Sequence, residues 1–113
     1  MKGTNIGEFE ELVLLVIASY ESKAYGVGIR EVLAEEADRK VNISAVHEVL
    51  KRLEKKGLVR SHMGGATEER GGRRKRLFTI TKYGAKVLQE TYELRYRLYN
   101  QVPEAVLSQV TIS

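Results

Sequence analysis

Apolar residues recur at helical spacing from about Glu8 to Tyr20, where Phe9, Leu12, Val13, Val16, Ile17 and Tyr20 share one face and predict a helix. Leu14 and Leu15 add apolar surface outside that stripe, so this helix needs cover on two sides, one of which a partner subunit could supply. A linker from Glu21 to Ala24 leads to the stripe of a second, shorter helix, Ile29, Val32, Leu33 and Ala37, whose start is blurred by Gly26 and Gly28. The stretch from Asp38 to Ile43 predicts a turn. Ser44 then stands where an N-cap accepts hydrogen bonds from the orphan amides that follow. The third helix opened there buries Val46, Val49, Leu50 and Leu53, and Gly57 closes it as a left-handed C-terminal cap. Ala45, His47, Glu48, Lys51, Arg52 and Lys55 are left off its core stripe.

From Leu58 the period shortens toward two, with Val59, Ser61 and Met63 alternating against Leu58, Arg60 and His62, and a strand is expected up to Gly64-Gly65. The return strand is Arg74 to Ile80. Between the two lies a polar, glycine-rich tip, Ala66 to Gly72, longer than a tight hairpin turn needs. Thr81 reads as the N-cap of a long helix through about Gln101, with Val87, Thr91, Leu94, Leu98 and Val102 along one seam. Leu88, Tyr92, Tyr96 and Tyr99 run beside it, so the helix carries more apolar and aromatic surface than one small domain covers, and a coiled-coil-like partner helix answers that need. Pro103 ends it and can open a short terminal helix with Ala105, Val106, Leu107 and Val110.

The chain has 113 residues, enough for a single small domain, and 42% hydrophobic with 30% charged residues excludes disordered and low-complexity classes. With no cysteine there is no disulfide framework, thiolate metal site or cysteine nucleophile, which fits a reducing compartment. The longest strongly apolar run, Leu12 to Ala18, is too short to span a membrane, and the N-terminus carries Glu8, Glu10 and Glu11 where an export signal wants cations. A cytoplasmic protein with no membrane partner is expected.

Net charge is +4, but the distribution says more than the total. Residues 1–40 hold five Lys/Arg against eight Asp/Glu, residues 41–82 eleven against four, and residues 83–113 three against three. The excess is densest at Arg70, Arg73, Arg74, Lys75 and Arg76. Cations can defend an edge strand against aggregation, but five in seven residues exceed that need and favour phosphate contact.

The order helix, helix, helix, strand, strand, with a basic loop between the strands, is that of a winged helix-turn-helix. In it the third helix can enter a major groove while the loop carries cations to phosphates or a minor groove. Expected DNA contacts are therefore Ser44, Ala45, His47, Glu48, Lys51 and Arg52 on the helix, Arg70, Arg73, Arg74 and Lys75 at the hairpin, and the Tyr25 hydroxyl, which alternatively packs under a neighbouring element.

Over roughly residues 8–100 the chain resembles the PadR-type transcriptional regulators. The match is carried by the greasy first helix, by Tyr25-Gly26 followed by Ile29, by SAVHEVLKRLEKKGLV from Ser44 to Val59, and by RRKRLFTITKYG from Arg73 to Gly84. The resemblance implies a homodimeric DNA-binding protein, usually a repressor, whose first and last helices build the dimer, with some members answering phenolic or drug-like ligands. His47 stands where the family commonly has a tyrosine, and Val27 where many members have another aromatic.

The fold expected is mainly α with a small two-stranded β-hairpin: a winged helix-turn-helix, residues 1–80, and a C-terminal dimerisation helix with a short tail, residues 81–113. Phe9, Val13, Val16, Tyr92, Tyr96 and Tyr99 are candidates for a dimer surface or for the wall of a site for a small aromatic effector. The partners expected are double-stranded DNA and a second copy of the chain. No cofactor, metal set or catalytic constellation is implied, since His47 and His62 are the only imidazoles and no triad or zinc spacing can be assembled. The competing readings are a winged-helix protein-interaction module and a non-specific nucleic-acid binder, structured RNA included.

Overall fold

The structure, a computed structural model, describes residues 5–64 and 75–111, so the hairpin tip and with it Arg70, Arg73 and Arg74 lie outside the described residues. Helix α1 (Glu8–Ser19) starts at Gly7, whose amide donates to Glu10 Oε1 at 2.8 Å, so the third helical residue reaches back to satisfy an orphan donor. Glu8, Glu10 and Glu11 in that first turn also suit the positive end of the helix dipole. One 3₁₀ turn (Glu21–Lys23) leads into α2 (Gly26–Glu36), which buries Ile29, Val32 and Leu33.

Helix α3 (Ile43–Lys55) corrects one sequence expectation. Its N-cap is Asn42, whose Oδ1 accepts from the Ala45 amide at 2.8 Å, and Ser44 is the second residue inside the helix. Asn caps as well as Ser, and starting earlier lets Ile43 pack on the core. The far end follows the prediction. Gly57 has φ +80°, the Leu58 amide donates to the Leu53 carbonyl at 2.9 Å, and the Gly57 amide donates to that of Glu54 at 3.0 Å. This pair of bonds turns the chain out of the helix and buries Leu58.

Strands β1 (Val59–Met63) and β2 (Arg76–Ile80) pair antiparallel, Val59 opposite Ile80 and Met63 opposite Arg76. The outer edge of β2 is engaged too: the Phe78 amide donates to the Ala24 carbonyl at 2.9 Å, tying the hairpin to the segment between α1 and α2. Thr81 links hairpin and last helix, its Oγ1 accepting from the Gly84 amide at 2.9 Å and donating to the Gly57 carbonyl at 2.7 Å. It is the N-cap of α4 (Lys82–Tyr99), as the sequence predicts. Gly84 has to be glycine, because a Cβ there would strike the Leu58 carbonyl oxygen. Beyond Pro103 come α5 (Glu104–Leu107) and a 3₁₀ turn (Ser108–Thr111).

The core joins Leu14 of α1, Ile29 and Leu33 of α2, Val46, Leu50 and Leu53 of α3, Leu58, Val59 and Phe78 around the hairpin, and Val87 of α4. Val13 and Val16 belong to it as well, at 0% and 7% exposure, which corrects their assignment to a dimer or effector surface. The reason is that α1 packs against α2, α3, β2 and α4 at once, so nearly its whole apolar circumference is covered within the chain and Leu15 is what it turns outward. Phe9 is half-buried, with the Arg39 guanidinium 5.5 Å above its ring. Helix α4 buries only its first turns, through Gly84 and Val87; Tyr92, Leu94, Tyr96, Leu98 and Tyr99 are exposed, Tyr92 at 63%. The rings of Tyr92 and Tyr96 stack, centroids 5.7 Å apart. Among the described residues no helix is long and apolar enough to cross a membrane.

Candidate nucleic-acid interface

Helix α3 sorts its polar residues by direction. On one flank Arg52 and Lys56 turn toward α1, where Glu10 accepts from Lys56 Nζ at 2.9 and 3.1 Å and from Arg52 Nε at 3.2 Å. On the other, Glu54 accepts from Ser61 Oγ at 2.8 Å, and Ser61 Oγ accepts from Arg76 Nη1 at 3.0 Å, so helix and hairpin are joined through one hydroxyl. His47 lies on this side too, its Cε1 2.7 Å from where a Cβ on residue 26 would stand. Gly26 is what lets the first turn of α2 approach α3 so closely. Between these flanks Ser44, Glu48, Lys51 and Lys55 form an exposed ridge opposite the buried stripe. At its N-terminal end Ala45 is half-buried and its amide is held by Asn42.

A cleft of about 430 Å³ separates α3 from the hairpin, lined by His47, Glu48, Leu50, Lys51, Glu54, Arg76 and Phe78. A smaller one of about 180 Å³ adjoins it at the start of α2, between Tyr25, Gly26, Val27, His47, Lys75, Arg76 and Phe78. Tyr25 precedes the first residue of α2, and Lys75 Nζ sits 4.1 Å from the centre of its ring, so the two act as one cationic, aromatic surface. Gly28 packs beneath this segment, where a Cβ would fall 2.5 Å from the Lys23 carbonyl oxygen and 2.9 Å from Tyr25 Cε1. Thus Tyr25, Ser44, His47, Glu48, Lys51 and Lys75 are brought to one side of the molecule. Arg52 is half out of it, because its Nε is engaged by Glu10.

Glu10 escaped the sequence reading. It is a buried carboxylate, and burial pushes its pKa up, but Lys56, the Gly7 amide and Arg52 outweigh that and hold it below the ordinary glutamate value. An acid placed three residues after a glycine, before an apolar run, was the available signal, yet nothing local marks Lys56 and Arg52 as its partners. Arg76 was also outside the predicted site, although it lines both clefts. Among the described residues no group of three or more His, Cys, Asp or Glu side chains is placed to hold a metal ion.

A family model, that of the transcriptional regulator PadR-like family, matches residues 13–90. Solved structures match over most of the chain. A PadR-like transcription factor from Bacteroides fragilis superposes with a TM-score of 0.69 at 22% identity, covering 83% of this chain and 85% of its own. A PadR-like regulator from Bacillus cereus gives 0.68 at 20% identity, with 83% and 86% covered. PadR of Bacillus subtilis, solved in complex with operator DNA, gives 0.64 at 17% identity over 78% of this chain and 48% of its own. At these identities the likeness is one of fold. No curated protein matches the chain.

Proposed function

The chain belongs to the PadR-like family of transcriptional regulators, and on that premise we propose that it acts as a homodimer that binds a pseudo-palindromic operator and represses transcription in the cytoplasm. Residues 1–80 form the DNA-binding part and residues 81–113 the dimerisation part. Helix α3 enters a major groove along Ser44, Glu48, Lys51 and Lys55, while Lys75 and, in the hairpin, Arg70, Arg73 and Arg74 meet phosphates. The observation that carries this reading is the outward ridge of α3, unpaired among the described residues, standing beside a hairpin segment, residues 59–80, that carries six Lys/Arg against two Glu. The B. subtilis relative, bound to operator DNA in its structure, supports it.

Dimerisation is supported by the uncovered half of α4. Leu94 and Leu98, flanked by Tyr92, Tyr96 and Tyr99, continue the seam that starts at the buried Val87. A second copy of the helix is the cover that such a seam fits. The stacked Tyr92–Tyr96 pair also favours a ligand response, since a planar aromatic effector would find a ready face there.

The test is selection of bound duplexes from a random DNA pool at near-physiological salt. An inverted repeat with half-sites about one helical turn apart is expected. Binding without enrichment that vanishes as salt rises would leave only a phosphate-attracting surface, and no binding to naked duplex would favour a protein-interaction module.

A further inference from the structure

On the ridge of α3 the charges are mixed: Lys51 and Lys55 are cations, but Glu48 is an exposed carboxylate one turn before Lys51. The other acid of α3 that faces the cleft, Glu54, has a task, since it accepts from Ser61 and so anchors the helix to Arg76. Glu48 makes no ion pair or side-chain hydrogen bond with any described residue. Arg52, four residues on and in reach along a helix, is turned to Glu10. A lone carboxylate aimed at a polyanion weakens binding unless it meets a donor. An ionised carboxylate only accepts hydrogen bonds, and in the major groove the donors are the exocyclic amino groups of cytosine N4 and adenine N6. Adenine sets its amino group beside the N7 acceptor, which repels a second acceptor, whereas cytosine offers the donor alone. Guanine and thymine turn acceptors toward the groove at the corresponding edge.

Resting on the reading of α3 as the helix that enters the groove, we infer that Glu48 is a specificity-determining residue that selects cytosine at one position of each half-site. Its neighbour Lys51 supplies affinity, and Glu48 rejects wrong bases by the repulsion it meets in the absence of an amino group.

The experiment is duplex selection with the purified full chain and with Glu48→Ala and Glu48→Gln, followed by titration of the wild-type site and its single-base variants. The wild type should show cytosine at one position per half-site, preferred about tenfold. Glu48→Ala should lose that preference at that position alone and bind random duplex more tightly. Glu48→Gln should move the preference to adenine, whose donor and acceptor an amide matches. An unchanged motif in both variants, with affinity raised equally for all sequences, would overturn the inference and leave the operator reading standing. Failure of the wild type to enrich any motif would overturn the operator reading and this inference with it.

Discussion

Replacing Glu10 with Gln removes one negative charge from the junction of α1 and α3 without changing its shape. The carboxylate accepts from the Gly7 amide, from Lys56 Nζ and from Arg52 Nε, at distances from 2.8 to 3.2 Å. Hydrogen bonds to charged groups contribute about 1.5–3 kcal/mol each against about 1 for neutral ones, and the amide keeps one accepting oxygen while aiming its NH₂ at two cations. Breaking a fully buried pair costs about 3–5 kcal/mol, but the side chains of Arg52 and Lys56 are 53% and 31% exposed and can turn to water. The expected loss is therefore about 2 kcal/mol, roughly an 8 °C fall in Tm for a chain of this length. The assay is thermal and urea unfolding of both proteins at one protein concentration, since self-association shifts apparent stability. The pH dependence gives a second reading. The folded pKa is lowered, so the contribution is complete above the ordinary glutamate value of about 4.3 and disappears as pH falls through the lowered one. Wild type and variant should thus converge in strong acid. A difference below about 0.5 kcal/mol at neutral pH, the scatter of ordinary surface changes, or a gap that survives acidification, would refute the reasoning.

Other outcomes follow from single features. Gly84→Ala should destabilise by about 1–3 kcal/mol, because its methyl meets the Leu58 backbone, which cannot move without shifting the hairpin; unfolding in urea reads it. Gly57→Ala meets no atom within 4 Å, so its cost, about 1–2 kcal/mol, should come from backbone conformation alone, and Gly57→Asn should cost less. Lys51→Ala should weaken binding to specific and random duplex alike and lower the slope of log affinity on log salt by about one, whereas Arg52→Ala should register mainly as lost stability. Leu94→Asp with Leu98→Asp should convert a dimer to a monomer by sedimentation while leaving the helical signal of the first 80 residues in place.

The elements themselves were legible because each carries its own local signature. Thr81, Gly57 and the period change at Leu58 announce boundaries that depend on hydrogen bonds within a few residues. The start of α3 was missed because Asn42 and Ser44 are both good caps two residues apart, and only the packing of Ile43 decides between them. Val13 and Val16 were misplaced for a related reason. A helix apolar all round announces that it is buried, but not whether its own chain or another buries it. Which residues α3 turns outward was legible, since these follow from the buried stripe. That Arg52 would be diverted to Glu10 was not legible, because the two are forty-two residues apart and the contact exists only once α1 and α3 cross.

The hydrogen bond from Phe78 to Ala24 gives the middle of β2 a neighbour on the edge that β1 does not pair. The strand beside the start of α2 is fixed from both edges, so the spacing between Tyr25, Lys75 and α3 is set when the chain folds rather than when it meets another molecule. Ordering backbone on association costs free energy, and here that part of the cost is met on folding. A preorganised surface of this kind docks as a rigid body. Changes that loosen the Ala24 junction should therefore slow the formation of a productive encounter, at a distance from every residue that touches the ligand.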